Sequence, residues 1–289
     1  MKKTKDLQSL KKNYSSKLIS DKTPFAINES FKQIRTNLFY TSKNESCPVF
    51  CVTSAYAHTG KSTITANSAI SHAMLGKKVL LIDGDMRCPV QQFAFSKENY
   101  KGLSELLASA ESSSEIYMNF VQKTEYEGLD IITSGRIPPN PSELLASVRM
   151  KELIAAAKQE YDYIFIDTPP ICEVSDGCVI SELVTGYIIV IRSEVTDSKA
   201  VSDALNLLEH NGSNVVGFVL NDVNSKLDIK YSRKNHKYGY GKYGKYGKYG
   251  KYGYYGSYGY GYGYGGYGRY IHSRNAQGEV SESTDEKNK

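Results

Sequence analysis

The sequence predicts an α/β protein, doubly wound around a mainly parallel sheet. Two observations carry this. Six short apolar runs rich in β-branched residues lie between residues 49 and 220, and they are continuous instead of alternating, as in strands covered on both faces. Segments of helical periodicity lie between several of them, so strands and helices take turns along the chain. Sheets of this kind bind ligands beyond the carboxyl ends of their strands.

The elements follow in order. Strands are expected over residues 49–53, 79–83, 129–133, 163–167, 187–191 and 215–220. A helix is expected over 62–75, closed by Gly76 as a C′ residue. Another is expected over 142–158 after the turn-rich PPNP, and a third over 198–210 before Asn211-Gly212.

About 200 residues remain for one domain, over 29–228, once a polar head (1–28) and a C-terminal segment (229–289) are set aside. That segment is unlike the rest. Residues 231–270 hold fifteen of the 24 tyrosines, thirteen glycines and eight Lys or Arg, with no Asp or Glu. Glycine has no side chain and the largest backbone entropy, so a flexible tail presenting phenol hydroxyls to water is expected. The tail also accounts for the net charge of +5, since the rest has 28 basic against 31 acidic residues. A mildly acidic body with a basic tail does not read as a general nucleic-acid binder, and no nucleic acid is expected.

The cysteines (Cys47, Cys51, Cys88, Cys172, Cys178) are odd in number and lack metal-ligand spacing, which fits a reducing cytoplasm. The basic head has no apolar stretch behind it and is not a secretory signal. No apolar run approaches the ~20 residues of a membrane helix, so membrane association is expected only through a partner.

Three strand ends carry chemistry. The first runs into Ala55-Tyr56-Ala57-His58-Thr59-Gly60-Lys61-Ser62 and then a helix, a phosphate-binding loop without its usual first glycine. Backbone N–H groups and the helix N-terminus would surround phosphate oxygens, with Lys61 on the β/γ-phosphates and Ser62 on Mg²⁺. GK[ST] alone is weak evidence; the strand–loop–helix setting strengthens it. The second is VLLIDGDMRCP, which places Asp83, Asp85 and Arg87 on alternate positions and so on one face of an extended chain. Two carboxylates beside a triphosphate need a divalent metal between them, and one can then accept a hydroxyl proton. The third is YDYIFIDTPP, where Asp167 can bind Mg²⁺ directly or through water. A lone DxD or strand-end Asp is usually structural; three such motifs in order are not.

At this combination the chain resembles the bacterial tyrosine kinases (BY-kinases) of capsule and exopolysaccharide synthesis, P-loop proteins related to the MinD and ParA ATPases. The match runs from Glu29 to Val223. It includes Gly60-Lys61-Ser62-Thr63 (Walker A), Asp83-Gly84-Asp85-Met86-Arg87 (Walker A′) and Asp167-Thr168-Pro169-Pro170 (Walker B). Smaller matches are Pro139-Asn140-Pro141-Ser142-Glu143-Leu144-Leu145, Asp176 and Asn221.

The resemblance implies a P-loop NTPase fold of MinD/ParA type, and an ATP- and Mg²⁺-dependent kinase that autophosphorylates its tyrosine cluster. The catalytic residues would be Lys61, Asp83, Asp85 and Asp167, with Asp83 the first choice to accept the phenol proton and Asp85 the second. ATP would be held by His58, Thr59, Gly60, Lys61, Ser62, Thr63, Arg87 and Asn221, and Mg²⁺ by Ser62, Asp85 and Asp167. The acceptors would be Tyr238, Tyr240, Tyr243, Tyr246, Tyr249, Tyr252, Tyr254, Tyr255, Tyr258, Tyr260, Tyr262, Tyr264, Tyr267 and Tyr270. Glu29, Lys32 and Arg35 match a ring-forming E-x-x-R-x-x-R motif with Lys in place of the first Arg, so a homo-oligomer is expected. Further implied partners are a transmembrane activator, a protein-tyrosine phosphatase, and sugar-nucleotide enzymes or glycosyltransferases as substrates. The place of action would be the cytoplasm, at the inner face of the membrane. The family loop reads Pro-Gly-Glu where this chain has Ala57-His58-Thr59, and a positive φ at His58 would cost about 1 kcal/mol. The alternatives are a switch ATPase of MinD/ParA type, a tail that binds nucleic acid or forms condensates, and a catalytically weak scaffold of polymer export.

Overall fold

Alternate residues of each central strand face opposite sides of the sheet, and here both sides are apolar. That explains the continuous apolar runs. A computed structural model of the chain describes residues 2–223. In it the strands are β1 (Val49–Ser54), β2 (Val79–Asp83), β3 (Gln122–Lys123), β4 (Leu129–Ile132), β5 (Tyr163–Asp167), β6 (Gly186–Arg192) and β7 (Val215–Asn221). They form one sheet in the order β3-β4-β2-β5-β1-β6-β7, parallel except for β3, which runs antiparallel to β4. The expected doubly wound α/β fold is therefore the fold of this chain, and the six expected strands are all present. The two-residue β3 escapes a periodicity argument because it is too short to have a period.

The helices are α1 (Lys2–Ser15), α2 (Phe25–Thr41), α3 (Lys61–Ala73), α4 (Gln91–Ala94), α5 (Leu103–Ala108), α6 (Ser113–Ile116), α7 (Pro141–Leu145), α8 (Val148–Glu160) and α9 (Ser198–His210). One face of the sheet buries Phe50, Val52, Leu81 and Phe165 with Ile64 and Ile70 of α3 and Phe31 and Leu38 of α2. The other buries Cys51, Leu80, Ile82 and Ile166 with Leu153 and Ile154 of α8 and Ala204 and Leu208 of α9. Each of these Val, Leu, Ile and Phe side chains contributes roughly 1.5–3 kcal/mol by leaving water.

Two expectations need correction. The helix expected over 142–158 is two helices, because Ser147 caps α8 by accepting the Met150 N–H and so starts a new helix. The head over 1–28 is also not set apart from the domain. Leu18 and Ile19 are buried in the α3 face of the core, and both ends of the Asn67 amide hold the chain there. Its many lysines and serines hide that short apolar anchor from a compositional reading. The boundary expected at residue 228 and the tail beyond it, with Tyr238 to Tyr270, lie outside the described residues.

What positions the site is register. β2 and β5 are paired so that Asp83 and Asp167 are directly opposite one another, and Val52 of the neighbouring β1 pairs with Asp167 in turn. The three strand ends therefore open at one level, on the carboxyl side of the sheet.

Candidate functional site

β1 leaves the sheet at Ser54 and the chain turns through residues 55–60 into α3. Side chains outside the loop hold its carbonyls: Ser54 donates to Tyr56 O (2.8 Å), Arg192 to His58 O (3.3 Å) and Asn221 to Thr59 O (2.8 Å). Glu173 accepts the Ala57 N–H at 2.8 Å. Gly60 precedes α3 at φ 93°, and a Cβ there would also collide with the Asn221 amide. With the carbonyls engaged outside, the first N–H groups of α3 are left for a ligand, since a helix start has no internal partners for them. Thr59 Oγ1 is buried and has no partner among the described residues.

His58 adopts φ 62°, the left-handed conformation anticipated for that position. The expected strain is therefore present.

Lys61 extends from the first position of α3 toward the carboxylates. Its ammonium lies 2.9 Å from Asp85 and 3.9 Å from Asp167, with the Ser62 hydroxyl at 3.3 Å. Asp83 and Asp167 are fully buried and Asp85 is nearly so. One cation thus faces three acids in a water-poor setting. Burial raises the Asp83 carboxyl well above the usual carboxylate range, and Asp167 and Asp85 raise it further. Burial also raises Asp167, although Lys61, Ser62 and Gln91 oppose it. Burial works against the Lys61 charge, but Asp167 and Asp85 outweigh it and keep the ammonium protonated beyond its ordinary range.

The extended-chain argument for Asp83, Asp85 and Arg87 fails after Asp83, where β2 ends. The Gly84 N–H donates to Asp167 O (2.8 Å) and the Met86 N–H to Gly84 O (3.0 Å), which bends the chain. A Cβ on Gly84 would crowd that Asp167 carbonyl. Asp83 then lies behind Asp85, accepting the N–H groups of Gln91 (3.1 Å) and Asp85 (3.3 Å). Asp85 lines the cavity, with its other oxygen on the Cys88 N–H (2.9 Å). Arg87 reaches the cavity rim, but its guanidinium is committed to Asp176 by two bonds of 2.8 and 2.9 Å, and Ser142 donates to the same carboxylate. The smaller matches at Ser142 and Asp176 thus converge on Arg87, which lines the cavity while its Nε and Nη2 are bonded to Asp176.

The cavity measures about 550 Å³ and is walled by Lys61, Ser62, Thr63, Asp85, Pro169 and Pro170 among others. A smaller one of about 320 Å³ lies on the Asn221 side of the loop. Ser62, Asp85 and Asp167 offer an all-oxygen donor set, which suits Mg²⁺. No group of three or more His, Cys, Asp or Glu poised around a metal exists among the described residues. Sequence reasoning missed Gln91, which donates to both Ser62 O (3.0 Å) and Asp167 (2.9 Å) while its Oε1 is buried without a partner. It also missed Glu173 and Arg192, which brace the loop from distant parts of the chain. No local signal marks any of the three.

Of the expected oligomerisation residues, Glu29 and Lys32 form an exposed ion pair on α2 at 2.7 Å. Arg35 instead turns inward to Ser71 O of α3 at 2.6 Å, so it joins α2 to the core.

Residues 49–215 match the family model described as an AAA domain. The chain is 36% identical over 230 residues to the putative tyrosine-protein kinase CapB of Staphylococcus aureus, spanning 80% of this chain and 96% of that protein. It is 37% identical over 237 residues to the tyrosine-protein kinase YwqD of Bacillus subtilis (strain 168), spanning 80% and 95% respectively. The crystal structure of the chimerical protein CapA2B2 superposes with a TM-score of 0.66 at 36% identity, covering 72% of this chain and 90% of that one.

Proposed function

This chain belongs to the bacterial tyrosine-protein kinases, and on that premise we propose that it moves the γ-phosphoryl group of ATP onto tyrosines of its own C-terminal cluster, in trans within a homo-oligomer. The observation that carries the proposal is the meeting of a helix N-terminus, Lys61 and a surplus of carboxylates at three level strand ends. Phosphates would lie on the N–H groups of residues 58–63, with Lys61 leaving Asp85 to reach them. Ser62, Asp85 and Asp167 would hold Mg²⁺, which when bound supplies charge neutralisation for the triphosphate.

A phenol near pKa 10 needs a base to become a nucleophile. Asp85 takes this role in preference to Asp83, because Asp85 lines the cavity while Asp83 is buried behind it and raised toward its protonated form. Asp83 positions Asp85 by accepting its N–H. Asn221 bonds the loop through its amide nitrogen and keeps its oxygen for the adenine of ATP. The acceptor tyrosines, Tyr238 to Tyr270, lie outside the described residues. Each phosphate would add about −1.5 to −2 charges to a tail that starts at +8. The resemblance extends the proposal to capsular or exopolysaccharide synthesis and export. It adds a transmembrane activator that recruits the chain to the inner membrane face, an opposing phosphatase, and sugar-nucleotide enzymes or glycosyltransferases as further substrates.

Intact mass and anti-phosphotyrosine detection after incubation with Mg·ATP test this, with and without the activator's cytoplasmic segment. A ladder of phosphates is expected, absent in Lys61→Met and in a chain ending at Lys230. Hydrolysis of ATP with no phosphate added under any condition would make the protein a switch ATPase instead.

A further inference from the structure

The head of the chain forms part of the site. Lys17 follows α1 and lines both cavities, the larger one on the Lys61 side of the loop and the smaller one on the Asn221 side. Among the described residues only His58, Gly60, Thr63 and Arg192 share that position with it, and the first three belong to the phosphate loop and the start of α3. A polyphosphate running from Asn221 toward Lys61 would cross the place where the two cavities meet.

The segment is fixed there by a residue of the same helix that begins the site. Asn67, on α3 and almost fully buried, donates to Lys17 O at 3.0 Å and accepts the Ile19 N–H at 2.9 Å. Both halves of one amide thus fasten the backbone on either side of buried Leu18. Tyr14, one turn earlier, also lines the larger cavity, and its ring stacks on Phe93 with centroids 6.2 Å apart. The Lys17 ammonium stands 5.3 Å from the Tyr14 ring centre and makes no ion pair with a carboxylate among the described residues. The other cations at the site are engaged: Lys61 by Asp85, Arg87 by Asp176, and Arg192 by Asp222 at 2.8 Å. A positioned ammonium without an acid partner, beside a phosphate loop, is suited to an anionic ligand.

We propose that Lys17 is a nucleotide-binding residue that contacts the polyphosphate between the two cavities, held in place by Asn67. This rests on the nucleotide reading of the site and adds a wall to it that no motif records.

Calorimetric titration of the full chain with ATP and with adenosine tests it, using Lys17→Met, Lys17→Arg and Lys61→Met. Lys17→Met should weaken ATP binding about tenfold, near the lower end for a charged hydrogen bond, and leave adenosine binding unchanged. Lys17→Arg, which keeps the charge, should recover most of the loss. Thermal unfolding without nucleotide checks that the variants fold. If Lys17→Met binds ATP as tightly as the unaltered chain while Lys61→Met does not, the inference is overturned and the kinase reading stands. Equal losses for ATP and adenosine overturn it too, because a purely structural role predicts them. An unaltered chain that binds no ATP overturns both.

Discussion

The five residues from Asp83 to Arg87 feed two clusters of charge that follow opposite rules. In one, Asp83, Asp85 and Asp167 share a single ammonium, and burial raises Asp83 and Asp167 above the ordinary carboxylate range. In the other, the Arg87 guanidinium meets the Asp176 carboxylate through two bonds and Ser142 supplies a third, which holds Asp176 below its ordinary range although burial pushes the other way. An ion taken from water costs several kcal/mol unless its partners replace the lost hydration. The Asp176 cluster meets that condition within the chain. The Lys61 cluster does not, and its surplus of acid is what a divalent cation and a phosphate-seeking lysine would resolve. Balance marks the part of the fold that supports itself, and imbalance marks the part prepared for a ligand.

Substitution separates the two. Asp85→Asn should lower phosphoryl transfer about a hundredfold or more, with unfolding free energy changed by no more than about 1 kcal/mol, because the site has carboxylates to spare. Asp176→Asn should do the reverse. It strands Arg87, and with the guanidinium side 41% exposed the cost should be about 2 kcal/mol, below that of a fully buried pair. Urea unfolding and a phosphotransfer assay on both variants decide the matter. A stability loss for Asp85→Asn as large as for Asp176→Asn would erase the contrast.

The imbalance should also be visible in pH dependence. Asp83 has a folded pKa raised above its unfolded value of 3.8, so between these two values the folded state binds more protons than the unfolded state. Its contribution to stability is then present at low pH and lost as pH rises through that window. Asp83→Asn should remove this slope and raise the unfolding free energy at neutral pH relative to the unaltered chain. Phosphotransfer should fall less than for Asp85→Asn, since Asp83 acts through Asp85. A stability curve for Asp83→Asn that keeps the slope of the unaltered chain would assign the excess charge elsewhere.

The balanced and unbalanced clusters were not equally legible in the sequence. Asp83, Asp85 and Asp167 sit at the end of an apolar run or just past it, and Lys61 follows a strand and a loop in the GK[ST] pattern, so local patterns announce all four, and parallel register then brings Asp83 and Asp167 together. The site was legible because its residues lie at strand ends or at the helix start that follows one. Arg87 was read in the wrong company, because the extended-chain rule holds only while the strand lasts and its partner Asp176 is 89 residues away. Gln91, Glu173, Arg192 and Lys17 are ordinary polar residues in the sequence; what selects them is three-dimensional proximity to a loop. The head was misjudged for a related reason, since two buried residues, Leu18 and Ile19, outweigh the many polar ones around them once Asn67 is there to hold them.

His58 brings the smallest effect and the finest test of how the unbalanced site is supported. Its φ of 62° is a conformation glycine adopts freely and other residues adopt at about 1 kcal/mol. The conformation persists because Arg192 holds the His58 carbonyl and Asn221 the next one, so the loop is shaped by bonds from β6 and β7 and not by its own preference. His58→Gly should therefore leave the loop geometry intact and raise the unfolding free energy by about 0.5–1 kcal/mol, the gain reduced by the greater freedom of glycine in the unfolded chain. ATP affinity should stay level or rise. Arg192→Ala tests the same support from the other side: releasing the His58 carbonyl lets the strained residue relax, so His58→Gly should recover part of the ATP affinity that Arg192→Ala loses. Independent, additive effects of the two substitutions on ATP binding would mean that Arg192 does not hold the strain, and that the loop keeps its shape by other means.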